Sequence, residues 1–227
     1  AKYEFPSVTS RMLSSEPRRS GVIDERDFKP KPARNAVCLT GRFHLDVDAA
    51  TLEKQVLQQM EADLFIVTDS DSWPNELKAR NVTILSRERR DLESFFDETS
   101  PNWKNTSTGN FLGGLPGHDT GHGAYQLRDR WFCEQIIQNQ EISQGHIYEN
   151  VGVGRADLLW LLPHPDIDFT GCWIPCEGND WGGICDHWAW CDRLSASKYL
   201  IGPLQNLPPR GGDINTERHL KMSLAKD

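Results

Sequence analysis

The sequence lacks an apolar run long enough to cross a membrane, and it lacks an excess of basic residues. A membrane-spanning helix needs about 18 or more consecutive apolar residues, and no such stretch is present, so we expect no membrane span. The 227 residues include 25 Lys and Arg against 33 Asp and Glu, a formal net charge of -8. Because nucleic-acid phosphates require a basic face, this balance argues against nucleic acid as a general partner.

An apolar signal core is also absent from the N-terminal residues, so we expect any targeting segment to lie outside this sequence. The compartment is indicated only indirectly, by six cysteines and by the sequons Asn81-Val82-Thr83 and Asn105-Thr106-Ser107. Disulfides and N-linked glycans both form in the secretory pathway, so these features favour a glycoprotein of a Golgi-like lumen. Sequons also arise by chance, which leaves a cytoplasmic or virus-encoded protein as the alternative.

Length and composition indicate one main globular domain. Hydrophobic residues make up 37% of the chain and charged residues 26%, which is typical of ordinary globular proteins. Residues 1–33 carry little apolar periodicity and contain the separated prolines Pro6, Pro17 and Pro30, a pattern typical of an arm or linker. We therefore expect an N-terminal arm over residues 1–33 and a domain over residues 34–227.

The order of the apolar segments predicts an α/β fold with a mostly parallel central sheet flanked by helices. Buried strands are predicted over residues 36–40, 63–68, 82–85 and 151–161, and helices over residues 48–60 and 125–142. Strands that alternate with helices in this way are typical of parallel sheets. We expect the three early strands to be parallel neighbours with the fourth beside them.

The first strand ends in Thr40-Gly41-Arg42, at the edge where open α/β sheets bind ligands. Gly41 would let the backbone approach a ligand closely, and Arg42 could pair with a phosphate. A plain turn with a solvated arginine is the alternative interpretation.

The second strand runs into Asp69-Ser70-Asp71, two acids that flank a serine. Carboxylate oxygens in this arrangement suit magnesium or manganese bound to a diphosphate. The alternative is a turn and a helix cap before Trp73-Pro74.

Two histidines, His118 and His122, lie in a glycine-rich polar stretch. Their spacing would bind zinc on a helix, but the neighbouring glycines argue against a helix here. A metal site of this kind would suit a metal-dependent hydrolase. The alternative is a flexible lid in which a histidine touches a sugar or a phosphate.

Arg155 and Asp157 interrupt the apolar run of the fourth predicted strand. Charged residues inside such a run are unfavourable unless they are paired or hold a ligand. Strand alternation puts both on one face, so they predict a ligand site, with a structural ion pair as the alternative.

The late cysteines are Cys172, Cys176, Cys185 and Cys191. Zinc ribbons usually carry pairs of cysteines two residues apart, and these pairs are missing here. We therefore predict at least one disulfide among the four, with buried thiols or a zinc site as alternatives. The same segment holds Trp181, Gly182, Gly183 and Asp186, a combination that suits carbohydrate because sugars stack on tryptophan and donate hydroxyl protons to carboxylates.

Five motifs occur in a characteristic order over residues 35–225. They are Thr40-Gly41-Arg42, Asp63-Leu64-Phe65, Tyr125-Gln126, Val153-Gly154-Arg155-Ala156-Asp157-Leu158, and Gly182-Gly183-Ile184-Cys185-Asp186 with Ser195 to Tyr199 behind it. This order resembles that of small GT-A-like glycosyltransferases of algal viruses, plants, fungi and related microbes. The chain departs from them at Gly152 and Gly154, near where an additional arginine is common, and at Ala156, which replaces a proline.

The resemblance implies a single GT-A-like, Rossmann-related domain that moves a sugar from a nucleotide-sugar donor to a hydroxyl of a glycan or glycoconjugate, assisted by Mn²⁺ or Mg²⁺. The donor would contact Thr40, Gly41, Arg42, Arg155 and Asp157. The acceptor would contact Trp181, Gly182, Gly183 and Asp186. Within these sets the resemblance assigns Arg155 to the diphosphate, and Asp186 is the candidate that orients or deprotonates the acceptor hydroxyl.

Two acidic sites compete for the metal. The metal-binding acid of a GT-A-like sheet usually follows a later, central strand; Asp157 lies in the later strand, beside Arg155, whereas Asp69 and Asp71 follow the second strand. We therefore expect the metal at Asp157, with Asp69 and Asp71 as the alternative site. Two rival functions also stay open, a non-catalytic carbohydrate-binding domain and a metal-dependent hydrolase that uses His118 and His122.

Overall fold

The computed structural model describes residues 33–43, 46–68, 77, 82–86, 92–106, 112, 123–168, 170–175, 182–208 and 215–225. Residues 1–32 of the predicted arm lie outside these ranges. Ala33–Asp227 forms one compact unit. Within the part of the chain that is described, no helix is long and apolar enough to span a membrane.

Strands and helices alternate along the first half of this unit. The strands are β1 (Asn35–Thr40), β2 (Ala62–Thr68), β3 (Val82–Ser86), β4 (Asn150–Arg155), β5 (Cys172–Trp173) and β6 (Trp188–Asp192). The helices are α1 (Asp46–Leu52), α2 (Gln58–Met60), α3 (Leu92–Thr99), α4 (Gly123–Gln144), α5 (Arg193–Gln205) and α6 (Thr216–Leu224). A π-helical turn, Glu53–Leu57, joins α1 to α2, so the helix predicted over residues 48–60 is present with an irregular middle.

The six strands form one mixed sheet in the order β3-β2-β1-β4-β6-β5. β1 pairs in parallel with β2 and with β4, and β2 pairs in parallel with β3, which confirms the neighbours predicted for these four strands. β6 runs antiparallel to both β4 and β5. The α/β class is therefore confirmed, while the far side of the sheet is antiparallel. β4 ends at Arg155, six residues before the end predicted for it.

Each face of the sheet buries its own apolar cluster, because successive strand residues point to opposite faces. On one face, Cys38, Phe65 and Val153 pack with residues of α4, α5 and α6. On the other face, Leu39 and Ile66 pack with the helical run from α1 to α2 and with two tryptophans of β6. Helices thus cover both faces, and full burial of each large aliphatic side chain contributes about 1.5–3 kcal/mol.

Two disulfides join described residues. Cys172–Cys191 links β5 to β6 and confirms the prediction of a disulfide among the late cysteines. Cys38–Cys133 links β1 to α4 across 95 residues of sequence, a pairing that the sequence did not predict. Cys185 is buried and belongs to neither disulfide.

A buried ionic network fixes α4 against α5. The Arg193 guanidinium donates four hydrogen bonds to the carboxylates of Glu134 and Glu141, at 2.7–3.1 Å. Burial alone would lower the pKa of Arg193, but these two carboxylates raise it above its ordinary value. Charges buried in this way are stable because each is paired. The network holds α4 in place, and α4 carries two of the residues that line the cleft described next.

Candidate functional site

A small cleft opens at the carboxyl ends of β1 and β4. The chain leaves β1 toward β2 on one side, whereas β4 lies on the other, so the strand order reverses between β1 and β4. Such a switch point is where open α/β sheets bind their ligands. The cleft is lined by Thr40, Gln126, Arg130, Val153, Gly154, Arg155 and Asp186. Its enclosed volume of about 20 Å³ is room for roughly one water molecule.

The sheet register brings together two of the predicted donor residues. Thr40 and Arg155 are the last residues of β1 and β4, and they lie directly opposite each other in the parallel pair. The backbone N–H of Ala156 donates to the Thr40 carbonyl at 3.0 Å, which closes the strand pair at this edge. Polar groups from motifs that are 115 residues apart in sequence therefore share one strand edge.

Gly41 begins the turn after β1 with a φ of +98°, a conformation that L side chains rarely adopt. Its backbone N–H donates to the Val67 carbonyl at 3.0 Å. A Cβ at this position would meet nothing within 4 Å, so the backbone faces open space. This geometry agrees with the predicted close approach of a ligand, whose contact with Gly41 and Arg42 stays a prediction.

Arg155 and Asp157 form a two-pronged ion pair just beyond β4. Arg155 Nε donates to Asp157 Oδ1 at 2.9 Å, and Arg155 Nη2 donates to Oδ2 at 2.5 Å. This hydrogen bonding raises the pKa of Arg155, whose side chain is 44% exposed. The structural pair that was the alternative interpretation is therefore formed. Arg155 thus donates one hydrogen bond to each carboxylate oxygen of Asp157.

Asp186 is the one acidic residue among the described residues that line the cleft, and its side chain is only 5% exposed. Its Oδ2 lies 3.8 Å from Arg130 Nη2, and its Oδ1 lies 3.8 Å from His187 Nε2. Arg130 Nη2 also donates to the Asp186 backbone carbonyl at 3.4 Å. The guanidinium balances the charge of a carboxylate that is almost fully withdrawn from water.

Gln126 and Arg130 of α4 also line the cleft, and neither was predicted to do so. They are four residues apart, so they share one face of the helix. Arg130 is 4% exposed and its guanidinium carbon lies 5.0 Å from the centre of the Tyr199 ring. Within the described part of the chain, Arg130 Nη1 and Gln126 Oε1 are buried without a hydrogen-bond partner. The sequence carried no local signal that this face of α4 is buried, because polar side chains on a helix usually face water.

Gly182 and Gly183 pack so closely against α6 that neither position has room for a side chain. A Cβ on Gly183 would lie 2.0 Å from the Glu217 carbonyl carbon, and one on Gly182 would lie 2.8 Å from Arg218 Nε. The next N–H, of Ile184, donates to the Glu217 carbonyl at 3.3 Å. The glycine pair thus seats the loop that carries Asp186 on α6. Its predicted contact with an acceptor stays a prediction.

The tryptophans of β6 belong to the core and do not form a sugar-stacking surface. Trp188 and Trp190 are buried, and glycines at 152 and 154 leave room for the Trp188 ring, which a Cβ at either position would meet at 2.5–2.6 Å. Trp188 Nε1 donates to Nε2 of buried His164 at 3.2 Å. Trp173 is 37% exposed. The tryptophan richness of the segment is therefore largely a packing feature, and it gives less support to a simple carbohydrate-binding domain.

His164 makes the stability of this tryptophan cluster depend on pH. Its Nε2 accepts from Trp188, its Nδ1 donates to the Pro165 carbonyl at 2.8 Å, and burial lowers its pKa. The unfolded chain binds a proton at His164 below about pH 6.5, whereas the folded protein resists protonation. We therefore expect the free energy of unfolding to fall as the pH drops below about 6.5.

Chemical denaturation at several pH values between about pH 7.5 and about pH 5 measures this dependence on either side of the ordinary histidine pKa. His164→Gln keeps an acceptor for Trp188 but removes the titration, so its pH dependence should be shallower. If the unfolding free energy of both proteins changes equally with pH, the pKa of His164 does not differ between the folded and unfolded states.

Several predicted residues lie outside the described ranges, namely Asp69, Asp71, His118, His122, Cys176 and Trp181. Among the described residues, no group of three or more His, Cys, Asp or Glu side chains is arranged to hold a metal ion. The choice between Asp157 and the Asp69-Ser70-Asp71 site therefore stays a prediction.

Comparison of the chain with protein-family models gives no match, and neither does a search of curated proteins. The function must therefore follow from the residues of the cleft and their geometry.

Proposed function

We propose that the protein is a glycosyltransferase that moves a sugar from a nucleotide-sugar donor to a hydroxyl of a glycan or glycoconjugate, with a divalent metal assisting. One observation carries this proposal. Thr40, Arg155 and Asp186 come from three separate motifs of the resemblance, and all three line one cleft at the switch point of the sheet. This edge of an α/β sheet is the usual place for a nucleotide ligand.

The charges of the cleft suit the transfer step. The acceptor oxygen would attack the anomeric carbon, the bond from that carbon to the diphosphate oxygen would break, and the diphosphate would leave with the bonding electrons. Asp186 would take the acceptor proton, since it is the carboxylate lining the cleft. Arg155, at the exposed rim, would bind the departing diphosphate because a guanidinium can donate two parallel hydrogen bonds to it.

Asp157 fits a magnesium or manganese ion in chemistry, since these ions are often bound by one or two carboxylates together with substrate phosphates. When bound, the metal would neutralise charge on the diphosphate. Arg155 would change its partner when the donor and the metal bind. By turning from Asp157 to the diphosphate it would release the carboxylate oxygens that it now occupies.

Binding measurements on Asp157→Ala test the proposal. A thermal-shift screen with UDP-glucose, UDP-galactose, UDP-N-acetylglucosamine and GDP-mannose, each with manganese, identifies the donor. With that donor, we expect Asp157→Ala to abolish detectable transfer and to weaken manganese-dependent binding, whereas Asp71→Ala is milder. Loss of one such contact should cost about 2–4 kcal/mol of transition-state stabilisation.

Asp166→Ala is the matched control, because Asp166 is an exposed acid of the same connecting segment and does not line the cleft. It should behave as the unaltered protein does. Donor and manganese binding could instead remain intact in Asp157→Ala and be lost in Asp69→Ala or Asp71→Ala. That result would assign the metal site to the residues that follow β2. Binding of free glycans without any turnover of a nucleotide sugar would instead favour a non-catalytic carbohydrate-binding domain.

A further inference from the structure

Two of the residues that line the cleft, Gln126 and Arg130, carry buried hydrogen-bonding groups. Gln126 Oε1 offers an acceptor and Arg130 Nη1 offers a donor, and within the described chain both are buried and unpartnered. The Asp186 carboxylate lies beside them, 3.8 Å from Arg130 Nη2. Buried polar atoms are nearly always hydrogen-bonded, so a group bound in the cleft that reaches these two atoms would satisfy them.

The combination of donor and acceptor decides what kind of group fits. A phosphate oxygen at neutral pH only accepts hydrogen bonds, so it would leave Gln126 Oε1 without a donor and would face the buried carboxylate of Asp186. A hydroxyl both donates and accepts, so it can satisfy Gln126 and Arg130 at once. The cleft volume of about 20 Å³ leaves room for a water-sized group such as a hydroxyl.

We infer that Gln126 and Arg130, with Arg130 held in place by Asp186, form a pocket for one ring hydroxyl of the transferred sugar, and that this pocket selects which sugar is transferred. The assignment of this hydroxyl to a nucleotide sugar rests on the proposed function. A sugar hydroxyl would replace a water without loss of hydrogen bonds, whereas a sugar with the opposite configuration at that carbon would leave the buried groups unsatisfied. Arg155 lies at the exposed rim, outside this pocket, where the proposed function assigns it to the diphosphate.

Gln126→Leu is the decisive variant. Leucine keeps the size of the side chain but removes the buried acceptor, so the unliganded protein should keep or raise its Tm. Isothermal titration with the nucleotide sugar should show binding about tenfold weaker or more, whereas binding of the matching nucleoside diphosphate should not change. Gln140→Leu, at a half-buried glutamine farther along α4, is the matched control and should bind both ligands normally.

Equal weakening of nucleotide sugar and nucleoside diphosphate would overturn the inference, because the pocket would then hold a phosphate. Unchanged binding of both would overturn it as well. Arg130→Lys serves as a second variant, since it keeps a positive charge near Asp186 but changes the position of the donors. If it folds, by circular dichroism, it should also lose affinity for the nucleotide sugar more than for the nucleoside diphosphate.

A further experiment separates the inference about the pocket from the proposed function. If the unaltered protein binds neither nucleotide sugars nor nucleoside diphosphates, the proposed function is wrong, and the pocket is then tested with free glucose, galactose and mannose by saturation-transfer NMR. Binding of one of these sugars that Gln126→Leu removes would support the pocket. Absence of any monosaccharide binding to the unaltered protein would overturn it.

Discussion

Replacement of Asp186 by asparagine is expected to lower kcat for sugar transfer about a hundredfold to ten-thousandfold, the range typical of a lost general base. Asparagine keeps the shape of the side chain but cannot take a proton from the acceptor hydroxyl. The nucleotide-sugar donor should still bind, because the backbone carbonyl that accepts from Arg130 is retained. Initial rates of transfer, with the donor identified by thermal shift, measure the effect as separate changes in kcat and KM.

The control for this variant is Asp166→Asn, which removes an exposed carboxylate that does not line the cleft. It should leave both kcat and KM unchanged. Because Asp186 is buried beside a guanidinium, the Tm of the variant is measured alongside its rate. An unchanged kcat in folded Asp186→Asn would remove Asp186 from the chemistry and assign the proton to another group.

The second large effect is expected from the disulfide between β1 and α4. Replacing Cys38 and Cys133 together by alanine should lower the free energy of unfolding by about 2–4 kcal/mol, as is typical for loss of a disulfide. This disulfide closes a separation of 95 residues, whereas Cys172–Cys191 closes only 19. The chain-entropy model, which considers only the restriction of the unfolded chain, gives about 4.7 kcal/mol for Cys38–Cys133 and about 3.2 kcal/mol for Cys172–Cys191. It therefore ranks Cys38–Cys133 as the more stabilising disulfide.

The paired alanine variant at Cys172 and Cys191 is therefore the comparison, and it should lose less stability than the variant at Cys38 and Cys133. Guanidinium denaturation of both variants, and of the unaltered protein with and without reductant, gives the free energies. A larger loss for the pair at Cys172 and Cys191 would mean that local packing of the β5–β6 ladder outweighs the restriction of the unfolded chain.

The strands could be predicted because their signal is local. The apolar runs ending at Thr40 and Thr68 are too short for helices, and the first is followed by helical spacing over residues 48–60, a pattern typical of a parallel sheet. Thr40 and Arg155 were identified for a similar reason. Thr40 ends an apolar run and Arg155 interrupts one, so both stand out in the sequence, whereas Asp186 was identified from the Gly-Gly-x-x-Asp motif of the resemblance.

The two cleft residues of α4 could not be predicted in this way. Gln126 and Arg130 lie within a long helical pattern, where polar side chains usually face water, so nothing local marks them as buried. Only the docking of α4 on the sheet turns this face toward the strand ends. The pairing of Cys38 with Cys133 has the same origin, because a disulfide requires two Cα atoms within about 7 Å and that distance is a property of the whole fold.

For the glycines and tryptophans, too, the sequence supplied one part of the information and the tertiary structure the other. The sequence by itself determined that a glycine pair stands at positions 182 and 183 and that the segment around β6 is rich in aromatic residues. The tertiary structure decided that the glycines make room for α6 and that Trp188 and Trp190 face the core. Composition and spacing record which contacts a segment is able to make, but the partner in each contact comes from a distant part of the chain, and only the packed sheet and helices bring that partner into reach.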